Sequence, residues 1–420
     1  MVTKTIFDNG IRVISEHIPH LHSVSIGVWV ASGSRHERAE GERGISHFIE
    51  HMLFKGTERR TARGIAREID SVGGVLNAFT SREHTCYYAK VLDRFLPQAV
   101  DLLADILMNS VFADEEVEKE RQVILQEISM IEDTPDDLIH DLFIRNFWRN
   151  HPLGRPIIGT VESVSSFTGA AAKEYLRRHY HPGDIIIAAA GNVNHEDLLR
   201  LLVPFEALSA GESRETRDSI PESCCSVERF ERDLEQVHLC LGTSGISHTH
   251  PQRHAGYLMN TLLGSGMSSR LFQEIRERRG LAYSVYSYLS AHTDTGSLVV
   301  YAGAEEARAA EVINLIVAEL RRLKQEPVPG EELEAACNHF SGHFLLSLES
   351  SENRMTRLAK TELHFGRNIP VEELLDALRQ VTPDDILSLA GDLFDDASLT
   401  LTLMGRVAGV PLDAGTMTLT

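Results

Sequence analysis

The sequence predicts helices and strands mixed within two related domains, and three observations carry that reading. The chain has 420 residues, more than one ordinary core organises. Apolar residues at period two alternate with apolar residues at helical spacing through most of the first 191 positions. A polar stretch at 209–223, holding Gly211, Pro221 and many charges but no apolar period, lies at the midpoint. The domains are placed at 1–212 and 224–420, joined by a linker at 213–223.

The first domain opens on a hairpin signal. Residues 3–7 and 11–15 flank Asp8-Asn9-Gly10, a turn sequence that accepts positive φ. Val24, Ile26, Val28 and Val30 then alternate as a half-buried strand, and a polar loop at 32–44 follows. Residues 44–54 contain no Pro and no Gly after their start, which reads as a helix. A second helix is expected at 61–72, stopped by Gly73-Gly74. Strands at 75–80 and 85–92 and a helix at 95–108 come next. Asp114 caps a long helix to about 132, before Pro135. Residues 175–179 close a further helix, and the apolar run 184–191 reads as a buried strand.

The second half resembles the first. Phe112-Ala113-Asp114-Glu115-Glu116-Val117-Glu118 matches Val328-Pro329-Gly330-Glu331-Glu332-Leu333-Glu334 at an offset of 216, each before a long amphipathic segment. Tyr87-Tyr88-Ala89-Lys90-Val91 and Leu298-Val299-Val300-Tyr301-Ala302 occupy comparable places. At the same offset His47 falls on Leu263 and His51 on Met267, so chemistry carried by those histidines belongs to the first half alone.

Composition excludes several classes. The net charge of −20, from 41 basic and 61 acidic residues, argues against non-specific nucleic-acid binding; it suits basic peptides, although a solubilising surface explains most such balances. No apolar run approaches the roughly 20 residues of a membrane span. The first residues show neither a signal-peptide nor a transit-peptide pattern, so a cytoplasmic location is expected. The five cysteines are odd in number and form no C-x-x-C, which points to reduced thiols.

The chemistry centres on His47-Phe48-Ile49-Glu50-His51. On a helix, residues four apart share a face, so the two imidazoles can converge on one ion, with Glu50 on nearly the same side. Two imidazoles and a carboxylate placed to act on water suit Zn²⁺ in the inverted H-x-x-E-H order. Phe48 and Ile49 then face the core. Two histidines beside a carboxylate on a polar helix face would produce the same five residues, so a third ligand is required. The 114–132 helix offers Glu120 and Glu127, two turns apart on one face, with Val117, Val123, Ile124, Leu125, Ile128 and Ile131 on the other. By spacing alone, an ordinary solvated acidic face is the better reading.

His47-x-x-Glu50-His51 followed after 75 residues by Glu127, with Glu120 seven positions before it, resembles the M16 peptidases, which include the mitochondrial processing peptidases, pitrilysin and insulin-degrading enzyme. The resemblance spans nearly the whole chain. The run from Gly73 through Asn77-Ala78-Phe79 to Thr85 resembles the family's substrate-pairing edge strand. Pro152-Leu153-Gly154-Arg155 and Tyr180-His181-Pro182-Gly183 resemble its structural signatures. Arg276 and Tyr283, seven apart, resemble its Arg/Tyr motif. The Gly264-Ser265-Gly266-Met267 stretch is shorter than the glycine-rich loop of the non-catalytic processing-peptidase subunits.

The resemblance implies an α+β fold of two homologous domains, each a largely antiparallel sheet packed with helices, forming a clamshell chamber. It implies one Zn²⁺ per chain on His47, His51 and Glu127, Glu50 as the base, and Glu120 as the group that orients the site. Asn77, Ala78 and Phe79 would pair with a peptide substrate, and Arg276 and Tyr283 would hold its carbonyl and the developing oxyanion. It implies an endopeptidase for unfolded peptides and, at this chain length, a homodimer that engages neither nucleic acid nor membrane. A non-catalytic, chaperone-like subunit and a zinc hydrolase of small molecules are the rival readings. One dedicated protein substrate is a further possibility.

Overall fold

The computed structural model describes residues 1–209, 220–412 and 417–419, so most of the expected linker at 213–223 lies outside the described residues. Six strands form the first sheet: β1 (Val2–Ile6), β2 (Arg12–His17), β3 (Ser23–Val30), β4 (Val75–Thr80), β5 (Thr85–Leu92) and β6 (Ile185–Gly191), in the order β1-β2-β6-β3-β5-β4. Five form the second: β7 (Ser226–Glu231), β8 (Val237–Ser244), β9 (Ala282–Ala291), β10 (Gly296–Ala304) and β11 (Thr400–Gly405), in the order β7-β11-β8-β10-β9. Replacing β2 to β6 by β7 to β11 converts one order into the other. The senses agree as well. β2 with β6 and β7 with β11 are parallel, and every other pairing in both sheets is antiparallel. This is the duplication expected from the sequence, with β1 added, and the fold is of the expected α+β class.

The helices that position the site are α1 (Ile45–Leu53), α2 (Ala62–Ser71), α3 (Leu96–Asn109) and α4 (Asp114–Glu132), followed by α5 (Pro135–Phe147). Two of them start on a clear local signal. The Thr61 hydroxyl caps α2 by accepting from the Gly64 amide, and Pro135 sits at the first position of α5, where its missing N–H costs no hydrogen bond. On one face of the first sheet, Val24, Ile26 and Val28 pack with Phe48, Ile49, Leu102 and Ile124 in a single apolar cluster. The second sheet carries an equivalent cluster built on Leu239, Leu241, Val300 and Leu403.

The opposite faces are covered by an exchange of segments that the sequence did not reveal. The compact units are Met1–Met130, Arg155–Asp218 and Leu346–Asn368 on one side, and Ile131–Gly154, Ser219–Leu345 and Ile369–Thr420 on the other. The expected contiguous division at 213–223 therefore becomes an interleaved one. In the first unit, helix Ser351–Phe365 lays Met355, Leu358 and Ala359 on Ile14, Trp29, Ile186 and Ala188. In the second, α5 lays Ile139, Phe143 and Phe147 on Cys240, Val299 and Met404. The two helices begin 216 residues apart, the offset of the repeat. Each sheet is apolar on both faces, so each requires a second covering layer. All five cysteines are free thiols, as expected.

Because Leu358 is 1% exposed and Leu346 is 69% exposed, Leu358→Ala should lower stability by about 2–5 kcal/mol, whereas Leu346→Ala should stay within about 0.5 kcal/mol of the parent. Urea denaturation midpoints check this, and equal effects at both positions would contradict the assigned packing of this helix.

Candidate metal centre

The site begins with how α1 is held. The backbone at its start lies against the turn ending at Gly159. Gly44 and Gly159 both take φ of +87°, and a Cβ on Gly44 would lie 2.6 Å from the Gly159 Cα, so neither position accepts a side chain. The Glu37 carboxylate, fully buried, accepts hydrogen bonds from the amides of Gly44 at 2.8 Å and Ser46 at 3.0 Å, which satisfies donors of the first turn. Burial pushes the Glu37 carboxyl up to about 7 against those hydrogen bonds. Phe48, Ile49, Met52 and Leu53 are buried in the core, as expected for Phe48 and Ile49. Anchoring that face leaves His47, Glu50 and His51 on the other side of the helix.

α4 supplies the remaining groups, and here the sequence reading needs one correction. Glu120 does not belong to a solvated acidic face. It lies within the buried stripe of Val117, Ile124 and Ile128 and is 3% exposed, while Val123, expected on the apolar face, is 40% exposed. A buried carboxylate requires partners. Glu120 Oε1 lies 2.8 Å from His51 Nδ1, and Glu120 Oε2 lies 2.7 Å from Lys55 Nζ. Burial raises the Glu120 carboxyl, but these two partners outweigh it and hold the group below its ordinary range. Lys55 was missed in the sequence. It lies two residues past the end of α1, so helical spacing gave no sure signal for it.

Three ligand atoms converge. His47 Nε2 and His51 Nε2 are 3.2 Å apart, and Glu127 Oε2 lies 3.9 Å from the first and 3.7 Å from the second. Four ligands at tetrahedral zinc distances stand about 3.3 Å from one another, so this triangle needs only a small contraction to hold the ion. Among the described residues, these three form the one cluster of His, Cys, Asp and Glu suited to a metal.

Protonation agrees with that assignment. The Glu120 contact places a proton on His51 Nδ1 and leaves Nε2 to coordinate. Burial, with the nearby charge of His51, pushes His47 down to about 3, so its ring is neutral, and its buried Nδ1 has no hydrogen-bond partner among the described residues. For His51, burial lowers the value, but the Glu120 hydrogen bond and the surrounding carboxylates outweigh it and the net shift is upward. A cation bound at Nε2 would take the place of that second proton. Burial raises the Glu50 carboxyl, with the Thr80 hydroxyl opposing.

The other expected residues fall in two places. Asn77, Ala78 and Phe79 lie on β4, at the edge of the first sheet. Ala78 packs toward the core and Phe79 sets its ring 5.4 Å from Trp29, edge to face, so main chain rather than the Phe79 ring is offered along that edge. Arg276 and Tyr283 belong to the second unit and contact each other. Arg276 donates to the Tyr283 carbonyl at 2.7 Å, its guanidinium stands 4.7 Å from the Tyr283 ring centre, and Tyr283 is 78% exposed.

Comparison with known proteins agrees with this arrangement. Residues 12–161 match the family model described as insulinase, peptidase family M16, and residues 166–340 match the model described as the peptidase M16 inactive domain. The chain belongs to peptidase family M16. It is 40% identical over 405 residues to a Bacillus subtilis protein named uncharacterized zinc protease YmxG, covering 96% of this chain and 98% of that one. An uncharacterized zinc protease of Streptomyces coelicolor is also 40% identical, over 93% of this chain and 87% of its own. Solved structures share the fold. A protease from Helicobacter pylori superimposes with a TM-score of 0.88 at 23% identity, over 96% of this chain and 99% of that one. A peptidase M16 inactive domain from Pseudomonas fluorescens reaches 0.90 at 18% identity, over 98% and 100% of the two chains. The Bacillus and Streptomyces relatives are named zinc proteases, and the M16 inactive-domain match begins at residue 166, after the segment that carries His47, Glu50, His51 and Glu127.

Replacing Glu120 by Gln leaves the three ligand atoms in place but removes the charge that orients His51. Zinc affinity should fall about 10- to 100-fold, read by competition with a chromophoric chelator. The exposed Glu118→Gln serves as control, and unaltered affinity in Glu120→Gln would refute the orienting role.

Proposed function

We propose that this M16 protein is a zinc-dependent endopeptidase acting on unfolded peptides, with one Zn²⁺ per chain. The observation that carries the proposal is the His47, His51 and Glu127 triangle with the half-buried Glu50 on the same helix as the two histidines. Zinc, when bound there, supplies a Lewis acid that activates water and polarises the scissile carbonyl. His47, His51 and Glu127 hold it, and Glu120 keeps the His51 ring in the coordinating tautomer.

Glu50 moves the proton. Its carboxylate takes one from the attacking water and delivers it to the departing amine nitrogen. Burial raises its pKa, which makes the carboxylate a better proton acceptor, and the Thr80 hydroxyl opposes the rise. The substrate is proposed to add a strand at the outer edge of β4, near Asn77, Ala78 and Phe79. Only an extended chain can do so, and main-chain pairing requires no terminus, which favours internal cleavage of unfolded peptides. Arg276 and Tyr283 are assigned, on the resemblance, to a substrate carbonyl and the developing oxyanion. A cytoplasmic homodimer belongs to the same proposal. Among the described residues no helix is long and apolar enough to cross a membrane.

The zinc-loaded protein should cut an unstructured peptide library at internal bonds, mapped by mass spectrometry, while a folded control protein resists and a chelator abolishes cutting. Glu50→Gln should retain zinc and lose about 10²-fold or more in kcat, with Tyr283→Phe slowed to a smaller degree. Undiminished cleavage by Glu50→Gln would overturn the mechanism. Absence of cleavage by the zinc-loaded parent would favour a non-catalytic subunit, and turnover of small amides or esters alone would favour a small-molecule hydrolase. Sedimentation velocity should give twice the 46.8 kDa chain mass, and a single species at the chain mass would remove the dimer.

A further inference from the structure

Thr80 does not figure in the proposed ligand, base or substrate set, yet it makes a direct contact with the base. Its hydroxyl donates to Glu50 Oε2 at 2.5 Å. Side chains alternate along a strand, so Thr80 shares a face with Leu76 and Ala78, both packed against the cluster that contains α1. Phe79 points the other way, to Trp29.

The backbone that carries Thr80 is pinned. The β4–β5 turn closes with the Ser81 amide on the His84 carbonyl at 2.8 Å and the His84 amide on Ser81 Oγ at 3.1 Å. The loop that leads into α1 bonds to this turn. The Ser34 amide donates to the Ser81 carbonyl at 3.2 Å, the Arg35 amide to the Arg82 carbonyl at 2.8 Å, and the Arg35 and Glu83 side chains pair at 2.7 Å. Thr80 is also β-branched, so its own torsion is stiff. A glutamate side chain has three rotatable bonds, and a base must present one oxygen to the proton it removes. Holding the other oxygen from a rigid strand removes that freedom.

We propose that Thr80 is the positioning residue for Glu50, fixing one carboxylate oxygen so that the other receives the proton, and that it acts from the strand whose outer edge pairs with substrate. Peptide docking on β4 and the aim of the base then depend on a single element. The proposal rests on the peptidase reading above.

The test compares Thr80→Val, Thr80→Ser, Glu50→Gln and the Thr80→Val/Glu50→Gln double variant on a peptide chosen from the library, with zinc affinity measured in each by chelator competition. Thr80→Val should lower kcat about ten- to hundredfold and leave KM within about threefold. Thr80→Ser should recover most of the rate, and zinc affinity should hold throughout. The double variant should be no slower than Glu50→Gln, because the hydroxyl acts only through that carboxylate. A parental kcat in Thr80→Val, an equal loss in Thr80→Ser, a change confined to KM, loss of zinc, or a further loss in the double variant would each overturn the assignment. Parental activity in Glu50→Gln would instead refute the peptidase mechanism itself, a result distinguishable from any failure at Thr80.

Discussion

The contact between His51 Nδ1 and Glu120 Oε1, at 2.8 Å, joins two helices whose sequences lie 69 residues apart, and the metal centre depends on it. It fixes which nitrogen of His51 carries the proton, and it gives a buried carboxylate a charge partner. It also brings α4 to α1 in a register that sets Glu127 beside both imidazoles. Without it the buried Glu120 carboxylate would keep Lys55 as its charge partner but lose the hydrogen bond that ties α4 to α1. Lys55 completes the arrangement by taking the second Glu120 oxygen.

The scaffold makes such a contact affordable through its layering. Both sheets are apolar on both faces, and in each unit a helix from a distant part of the chain closes the second face. Those helices begin at Pro135 and Ser351, at the same offset as the sequence repeat. The exchange is therefore a property of the repeated unit and not an irregularity of one half. One copy kept the metal-binding helix. The other has a helix at Arg253–Gly264 in the equivalent place between strands, with no H-x-x-E-H order.

Within the first unit, catalytic geometry and substrate geometry share elements. α1 carries two ligands and the base, with its buried face locked in the core and its start capped by Glu37. β4 is the edge strand of its sheet, proposed to pair with substrate, and through Thr80 it reaches Glu50, the proposed base. Side chains that must be aimed to a fraction of an ångström are thus attached to a packed helix and a paired strand, whose positions are set by many contacts at once.

Much was legible in the sequence because the deciding interactions were local. Helical spacing placed His47, Glu50 and His51 on one side of α1, and alternation with turn residues located β4 and β5 at their observed ends. A 216-residue offset announced the duplication. Glu127 as third ligand was legible only through resemblance to a known family, since spacing alone favoured an acidic solvated face. What tertiary structure decided was everything that depends on which face meets which. It buried Glu120 while exposing Val123, recruited Lys55 and Thr80, and exchanged the covering helices between units. Periodicity records that a face is apolar or charged, but the partner that covers it is chosen by packing between segments far apart in the chain, and one sequence carries no local mark of that choice.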